Sequence, residues 1–308
     1  ICSLRPDEEK LCYSVIFVLD EDANVKDYHI AHTVIKSNRR YAYEEVQEIL
    51  MGKDGDNAEE LRTLDKLAKC LRERRFKGGA VKFDREELHF DIDETGKPTR
   101  AYFKKSNDAT QLIEEFMLLA NKYVAESIGK AKKPKANGEQ SKAKTFVYRI
   151  HDQPDPTKLE ALREFVVKFG YKMKTAGTKG AISKSLNALM DGCQGKKEQK
   201  LIETVALRAM MKAKYSTHNI GHYGLAFEYY THFTSPIRRF PDTMVHRRLT
   251  KYLDGGRSAN QEKYEELCEH CSDMEQTAQQ AERDSIKYKM VEFMADKIGN
   301  EYDAHISG

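Results

Sequence analysis

Two stretches of strand-forming residues near the N-terminus, separated by a polar segment, predict a β-hairpin. Residues 11–19 and 28–35 are rich in Val, Ile, Tyr and Phe, which favour strands, and the polar segment 20–24 lies between them. Glycine and proline turns mark off further short stretches of strand composition. The strands predicted there span residues 80–83, 88–92 and 146–150.

Apolar residues spaced three to four positions apart predict amphipathic helices. These span residues 43–50, 57–75, 108–127, 156–170, 201–214 and 261–298, and the chain also turns helical beyond Pro241. The helix over 108–127 is strongly periodic, and its apolar positions leave Glu114 and Glu115 on other faces. Asp155 and Pro156 are typical of an N-cap and a first helical position, so they predict where the fourth helix begins.

Strand and helix stretches along the whole chain predict a mixed α/β fold in which sheet is wrapped by helices. Residues 129–144 consist mainly of Lys, Ala, Gly and Pro, which have little surface to bury, and we interpret them as a flexible surface insertion. Residues 299–308 have the composition of a new β element that breaks off after its first strand.

The composition narrows the class of protein. With 308 residues, 40% of them hydrophobic, the chain can bury a substantial core. No apolar run approaches about eighteen residues, so we expect no membrane-spanning segment. Six cysteines in so long a chain do not form a dense disulfide framework, which favours a reducing compartment such as the cytoplasm. Because the chain starts at Ile1 without a signal sequence, we interpret its beginning as an internal cut.

The net charge of +3 is too small to indicate a polyanionic partner by itself. The basic residues are nevertheless clustered, in 72–75, in the lysines of 130–144, and in Arg238, Arg239, Arg247, Arg248 and Lys251. A single cluster of this kind is more often a solvated face than a binding site. The charge pattern alone therefore leaves nucleic-acid binding open.

The segment 221–242 contains the pattern that points most clearly to chemistry. Ser235 and Pro236 predict an N-cap and the first position of a helix, which places free backbone N–H groups beside Arg238 and Arg239. Guanidinium groups pair with phosphate oxygens in a bidentate manner, so this corner suits a phosphate. A structural arginine pair that caps nearby carbonyl groups is the alternative that these residues leave open.

The stretch from His232 to Asp242, HFTSPIRRFPD, resembles the signature of the ribonuclease II/ribonuclease R (RNB) family of exoribonucleases, and its wording is closer to the ribonuclease R branch. Further parts of the family pattern are spread along the chain, in residues 4–6, 112–117, 149–152 and 281–284. The resemblance implies an RNB-type catalytic domain over residues 1–298, followed by the first strand of a truncated S1 RNA-binding barrel over 299–308.

The resemblance also implies an activity, which is 3′-to-5′ hydrolysis of single-stranded RNA to nucleoside 5′-monophosphates. It further implies Mg²⁺, held by an aspartate cluster that precedes Ile1 in the family order, so we expect this chain to be inactive alone. We expect a monomeric, cytoplasmic protein. A non-catalytic RNA-binding relative with the same fold, which has lost its metal ligands, is the alternative.

Matching the family motif residue by residue implies roles for the arginine corner. Arg238 matches the arginine that stabilises the pentacoordinate phosphoryl transition state, and it is the predicted catalytic residue. Ser235 and Arg239 are predicted to bind RNA at the same corner. The ordinary alternative for these side chains is a structural role in capping the backbone nearby.

Four more positions match the family's nucleotide site. Tyr43 and Phe83 match aromatic residues on either side of the 3′-terminal base, where a ring holds any base by stacking. Glu114 and Glu282 match carboxylates that accept hydrogen bonds from ribose 2′-hydroxyl groups. The ordinary alternatives are core packing for the aromatic residues and a solvated helix face for the carboxylates.

Two further groups have the look of metal sites. Asp91 and Asp93 form an acidic pair, but a hairpin turn follows them, and two carboxylates leave a divalent ion undercoordinated. Cys268 and Cys271 have the spacing of half a zinc site, yet they lie in a helical stretch without a second pair. We interpret the first group as a turn and the second as cysteines within a helix.

Overall fold

The chain folds into two compact units in a computed structural model that describes residues 3–82, 87–130 and 143–302. Unit 1 comprises Ile1–Ala80, Asn107–Asp152 and Lys212–Glu269, and unit 2 comprises Val81–Ser106, Gln153–Met211 and His270–Gly308. Within the described ranges, no helix combines the length and the apolar character that crossing a membrane requires.

Helices and strands are interspersed along the chain. The strands are β1 (Glu9–Leu19), β2 (Val25–Lys36), β3 (Glu87–Ile92), β4 (Pro98–Lys104), β5 (Tyr148–Ile150) and β6 (Lys214–Ser216). The helices are α1 (Tyr43–Leu50), α2 (Ala58–Lys77), α3 (Asp108–Gly129), α4 (Pro156–Val167), α5 (Lys179–Cys193), α6 (Gln199–Ala209), α7 (Phe240–Leu253) and α8 (Gln261–Ala295). A single 3₁₀ turn spans Tyr223–Leu225. The described strands pair as three separate two-stranded antiparallel sheets. The predicted mixed α/β class is confirmed.

A long β-hairpin opens unit 1. Strands β1 and β2 pair along their whole length, so the hairpin predicted from their composition and the polar segment between them is confirmed. At its turn, the Asp20 carboxylate accepts hydrogen bonds from the backbone N–H (2.7 Å) and the side-chain amide (2.9 Å) of Asn24. These bonds satisfy polar groups that a tight turn leaves without strand partners. The resulting register places Tyr13 opposite His32.

Helices α1, α2 and α3 pack against one another in unit 1. Helix α3 begins with a capping box, in which Asn107 and Thr110 each accept the backbone N–H of the other. All three helices are predicted by the apolar spacing of the sequence. The buried apolar residues of α3 are Ala109, Leu112, Leu118, Leu119, Val124 and Ala125.

The buried face of α3 differs from the predicted face at Glu115. The apolar spacing predicts that this residue faces away from the core, but it is only 3% exposed, while Ile113 is 44% exposed. The guanidinium of Arg75 on α2 forms an ion pair with the Glu115 carboxylate, and its Nε lies 3.3 Å from Oε2. A buried carboxylate needs such a partner. The prediction for Glu115 is therefore wrong, because periodicity does not detect a charge that is paired in the core.

The remainder of unit 1 surrounds the short sheet of β5 and β6. The segment before α7 lies along β5, since Arg149 N–H donates to the Tyr230 carbonyl (2.9 Å) and Thr231 Oγ1 donates to the Val147 carbonyl (2.6 Å). The sequence predicts helix through Lys214, but that residue opens β6 instead. Helix α7 and the first part of α8 complete the unit.

Unit 2 combines the β3–β4 hairpin with α4, α5, α6 and the end of α8. Both α4 and α5 pack against α6. The predicted start of α4 is confirmed, because the Asp155 carboxylate accepts the backbone N–H groups of Thr157 (2.8 Å) and Lys158 (3.2 Å). Helix α5 is missing from the sequence predictions although it buries Leu186 and Leu189. Its serine, glycine and asparagine residues lower helix propensity and weaken the apolar pattern.

One predicted strand is wrong, and three predictions fall on residues outside the described ranges. Residues 80–82 are not part of a strand, and the Lys82 N–H donates instead to the Asn187 side chain (2.9 Å). Phe83, most of the predicted insertion 129–144 and the final residues 303–308 lie outside the described residues. The domain boundaries at 298 and 299 stay predictions.

Candidate active site

The two arginines of the SPIRR motif lie in a turn ahead of α7. The backbone N–H groups of Arg239 (3.1 Å) and Arg238 (3.4 Å) both donate to the carbonyl oxygen of Ser235. Helix α7 begins only after Arg239, which is its N-cap and has extended dihedral angles (φ −126°, ψ 114°). The predicted capping roles of Ser235 and Pro236 are therefore wrong, because an extended residue separates their turn from the helix.

The carboxylate of Asp242 holds this turn in place. Its side chain is 0% exposed, and Oδ1 accepts hydrogen bonds from the Ser235 backbone N–H (2.7 Å) and from Arg239 Nη2 (2.9 Å). Arg239 Nε also lies 2.9 Å from Asp242 Oδ2, close enough for an ion pair but not aligned for a hydrogen bond. The Asp242 carboxylate thus binds Ser235 at one end of the turn and Arg239 at the other, so the Arg239 side chain already has a partner.

Arg238 is in the opposite situation. Its side chain is exposed, and across the described part of the chain it forms no ion pair or side-chain hydrogen bond. The backbone on either side of it is held by Ser235 and Asp242. A permanent positive charge therefore extends from a backbone that is held in place, and its donors are available to an anion.

Buried polar groups also fix the segment that leads into the turn. The Phe233 N–H donates to Asn121 Oδ1 (2.9 Å), and Asn121 Nδ2 donates to the Tyr230 hydroxyl (3.2 Å). His246 on α7 has its Nε2 2.8 Å from the Phe233 carbonyl, which assigns the proton to that nitrogen. Asn121 is 3% exposed, so these bonds form without competition from water.

Two half-buried histidines of the segment that leads into the turn are electrically neutral at pH 7. Burial, and then the charge of Arg239, lowers the pKa of His232 to about 2, and its Nδ1 lies 2.8 Å from the Tyr215 hydroxyl. Burial and the neighbouring His151 lower the pKa of His222 to about 3. The positive charge near the turn therefore belongs to the arginines at every physiological pH.

Tyr43 is the first residue of α1 and is 46% exposed, which does not fit a core side chain. The segment before it is held by Arg39, which pairs with Glu45 and Asp56 and whose guanidinium carbon lies 4.3 Å from the centre of the Tyr41 ring. The Tyr41 hydroxyl donates to the Asp56 carbonyl (3.1 Å). These contacts order the backbone that presents the Tyr43 ring.

The remaining predicted residues lie on other elements. Glu114 is exposed on α3, and α3 is joined to α1 by a hydrogen bond from Ala109 N–H to Gln47 Oε1 (3.1 Å). Glu282 is exposed on the part of α8 that belongs to unit 2, and Phe83 lies outside the described residues. The structure therefore brings Ser235, Arg238 and Arg239 into one turn, and it carries Tyr43 and Glu114 on two helices that pack together.

The described residues do not form a metal centre. Throughout the described ranges, no three His, Cys, Asp or Glu side chains lie in an arrangement that could hold an ion. The Asp93 carboxylate is occupied in its turn, where it accepts the N–H groups of Thr95 (2.9 Å) and Lys97 (3.0 Å). Cys268 and Cys271 are buried cysteines on α8 and form no disulfide with another described residue. The residues in hand therefore do not fit the Mg²⁺ ion that the resemblance implies.

The motif from His232 to Asp242 includes Asp242, but the sequence pattern assigns no role to Asp242 or to Asn121. The available signal for Asp242 is its spacing, because residues three apart at a helix start lie on the same side, and Arg239 is the N-cap. No comparable signal exists for Asn121, because its partners Tyr230 and Phe233 are more than a hundred residues away along the chain. Such contacts depend on the tertiary fold.

Comparison with known proteins gives a consistent family. A profile of the RNB domain matches residues 1–255. Ribonuclease R of Aquifex aeolicus (strain VF5) is 38% identical over 318 residues, an alignment that covers 100% of this chain and 43% of that protein. The chain thus spans less than half the length of this relative.

Solved structures with the same fold include both a ribonuclease and a protein described as inactive. Mycoplasma genitalium RNase R in complex with double-stranded RNA superposes with a TM-score of 0.85 at 25% identity, over 100% of this chain and 55% of that one. Yeast Ssd1, described as a pseudonuclease, superposes with a TM-score of 0.64 at 22% identity, over 87% of this chain and 32% of that one. The fold alone therefore does not establish catalysis.

Proposed function

The chain belongs to the RNB family, and from that premise we propose that it forms part of the catalytic domain of a 3′-to-5′ exoribonuclease. The proposed reaction is hydrolysis of single-stranded RNA from its 3′ end to nucleoside 5′-monophosphates. The whole protein is proposed to act as a monomer in the cytoplasm.

The observation that carries the proposal is that two adjacent arginines have different surroundings. Arg239 is bound to the buried Asp242, whereas Arg238 is exposed on the turn that this pair holds rigid. The held backbone keeps the Arg238 side chain at one place on the surface, where its permanent charge can meet the negative charge of a phosphate. A purely structural arginine pair would have both side chains engaged, so this arrangement favours a phosphate ligand for Arg238.

In the proposed mechanism, Arg238 stabilises the extra negative charge on the phosphoryl group as the phosphodiester bond is cleaved. Ser235 and Arg239 hold the turn, and they contribute to RNA binding by positioning the backbone of Arg238. Removing one preorganised donor of this kind typically lowers turnover by about 10²–10³-fold. Because His222 and His232 are neutral, the positive charge that stabilises the phosphoryl group comes from the arginines.

The nucleotide site is proposed to include Tyr43, Phe83, Glu114 and Glu282. The exposed ring of Tyr43 can stack on the 3′-terminal base, with Phe83 on the other side of that base. Glu114 and Glu282 are exposed carboxylates that can accept ribose 2′-hydroxyl hydrogen bonds, which is how a protein distinguishes RNA from DNA.

Mg²⁺ is proposed as the cofactor of the whole protein, with ligands outside the described residues. A divalent ion would activate water and neutralise charge at the phosphate. Since the described residues form no metal centre, we expect the 308-residue polypeptide by itself to release almost no nucleotide from single-stranded RNA. Vigorous Mg²⁺-dependent release by the purified polypeptide would contradict this expectation.

A non-catalytic RNA-binding protein is the second candidate, since a pseudonuclease shares the fold. The test uses the full-length protein in which this chain occurs, supplied with 5′-labelled single-stranded RNA and Mg²⁺. We expect 3′-to-5′ shortening, release of nucleoside 5′-monophosphates, and loss of turnover in Arg238→Ala. Arg208→Ala, which removes an exposed arginine of α6, is the matched control. RNA binding without any shortening would favour the second candidate.

A further inference from the structure

An exposed imidazole ring on the long hairpin is held in a fixed orientation. His32 on β2 stacks on its cross-strand partner Tyr13, with ring centroids 4.2 Å apart and an interplanar angle of 20°. Its Nε2 lies 3.1 Å from the Thr250 hydroxyl oxygen on α7. His32 is nevertheless exposed, so the ring face turned away from Tyr13 is open to solvent.

The core of unit 1 supports this ring from behind. Tyr13 makes edge contacts with Phe233 (5.5 Å between centroids, 70°) and with His246 (5.2 Å, 86°). Phe233 is 4% exposed and lies two residues before Ser235, in the segment that leads into the arginine turn. The stack therefore rests on the same packed residues that fix the turn, and little flexibility would be lost when a ligand packs on it.

Positive charge adjoins the ring along α7. Arg247 and Lys251 are one helical turn apart and flank Thr250, the residue that His32 touches. Both side chains are exposed, and the described ranges contain no ion pair to either of them. Arg248 does not belong to this set, because its guanidinium carbon lies 5.1 Å from the centre of the Tyr264 ring. The exposed Asp254 is the nearby carboxylate: burial raises the pKa of Tyr13, and the negative charge of Asp254 adds to that rise.

An open aromatic face beside two unpaired cations fits one kind of ligand. Unstacked bases pack on aromatic rings without regard to sequence, and the phosphates on either side attract lysine and arginine. A base inside a duplex is already stacked on both sides, so it cannot use such a platform. The combination therefore favours single-stranded RNA over duplex RNA.

We propose that His32, Arg247 and Lys251 form a second binding site for single-stranded RNA, in which one base stacks on His32 and the adjoining phosphates contact the two cations. This site is separate from Arg238, and it holds a nucleotide of the strand while the 3′ end is processed. The inference rests on the proposed function in one respect, which is that the polyanion bound is RNA.

The test measures the affinity of the 308-residue chain for fluorescein-labelled oligoadenylate by anisotropy. His32→Ala should weaken binding by roughly 5- to 150-fold, the equivalent of about 1–3 kcal/mol for one stacked base. His32→Phe keeps a ring on Tyr13 and should bind within a few-fold of the unmodified chain. The matched control is His29→Ala, which removes another exposed histidine of β2 at a position of opposite strand parity.

The salt dependence of RNA binding tests the two cations, Arg247 and Lys251. Replacing both Arg247 and Lys251 by Gln should reduce the slope of log affinity against log salt by about 1.4, since each phosphate contact contributes about 0.7 with single strands. Asp254→Asn should tighten binding, because it removes the opposing charge. Affinity for a blunt RNA duplex should not change in His32→Ala.

The outcomes separate this inference from the proposed function. Unchanged affinity in His32→Ala overturns the site, and so does an equal loss in His32→Phe, which would mean that the histidine acts through its hydrogen bond to Thr250. If the unmodified chain binds no RNA and the full-length protein does not shorten RNA, the proposed function fails and the site fails with it. Normal RNA shortening together with an unchanged His32→Ala affinity rejects the site alone.

Discussion

The turn that carries Arg238 and the segment that precedes Tyr43 are both proposed to meet the RNA, but different kinds of interaction hold them. Behind the turn lie the buried Asp242 and Asn121, at 0% and 3% exposure, each bonded to backbone groups. Before Tyr43, the ion pairs of Arg39 lie at the surface, and its partner Asp56 is 75% exposed.

This difference predicts different sensitivities. A buried carboxylate whose partner is removed, or a buried cation that loses its carboxylate, remains desolvated without compensation. A surface ion pair that is broken returns to water at little cost. The turn that carries Arg238 is therefore held by buried hydrogen bonds. The segment before Tyr43 is held by surface ion pairs, whose loss costs little stability.

The largest effect is expected at Asp242. Asp242→Ala leaves Arg239 and the Ser235 N–H without their acceptor, and we expect it to lower the free energy of unfolding by about 3–5 kcal/mol. Urea unfolding of the variant measures this loss. Asp296→Asn, at a side chain that is 71% exposed, is the control and should change stability by less than about 1 kcal/mol. A similar small change in Asp242→Ala would show that the turn does not depend on this carboxylate.

Removal of the Tyr43 ring should affect the products of the reaction more than the fold. In the active full-length protein, Tyr43→Ala should cost about 1–3 kcal/mol of stacking with the terminal base and alter the length of the final oligonucleotide. Its thermal melting should stay close to that of the unmodified protein, because the ring is already 46% exposed. A large fall in melting temperature with an unchanged product ladder would make Tyr43 a packing residue.

The half-buried histidines predict a stability that decreases in mild acid. The folded pKa of His232 is about 2, well below the unfolded value, so the unfolded chain binds more protons as the pH falls below about 6.5. Between pH 7 and pH 5 this difference should remove up to about 2 kcal/mol of stability. His232→Asn should reduce the slope of the free energy of unfolding against pH, measured by urea unfolding at a series of pH values. A slope that is the same in His232→Asn and in the unmodified protein would contradict a neutral His232.

The smallest effect is expected at Arg39. Arg39→Ala breaks two surface ion pairs and the contact with Tyr41, and we expect a loss of about 1 kcal/mol or less in urea unfolding. If the segment nevertheless orients Tyr43, the variant should show a partial form of the Tyr43→Ala product ladder, and Arg39→Lys should partly restore the normal ladder. A loss as large as that of Asp242→Ala would remove the contrast between the two regions.

Local sequence signals predict the elements of this fold that local physics determines. The β1–β2 hairpin follows from two stretches of strand-forming residues and the polar turn between them, and the start of α4 follows from the Asp155 cap. Helix α5 does not appear in the pattern, since its residues have weak propensity and its stability comes from packing on α6. Glu115 is misassigned for a related reason, because its partner Arg75 is distant in sequence.

The candidate site divides in the same way. The motif containing Arg238 and Arg239 is visible in the sequence, but their separate roles are not, because the roles depend on which guanidinium meets the buried Asp242. The residues that support the turn, such as Asn121, come from other elements and act through tertiary contacts. A motif therefore identifies the corner, and only the fold distinguishes the two arginines.

The most direct test of that distinction compares Arg238→Ala with Arg239→Ala in the full-length protein, with turnover of single-stranded RNA and thermal melting measured on both. We expect Arg238→Ala to lower turnover by about 10²–10³-fold while its melting temperature stays unchanged. We expect Arg239→Ala to lower the melting temperature, because it leaves Asp242 buried without its cation. Unchanged turnover in Arg238→Ala, or a fall in its melting temperature equal to that of Arg239→Ala, would show that the two arginines do not have separate roles.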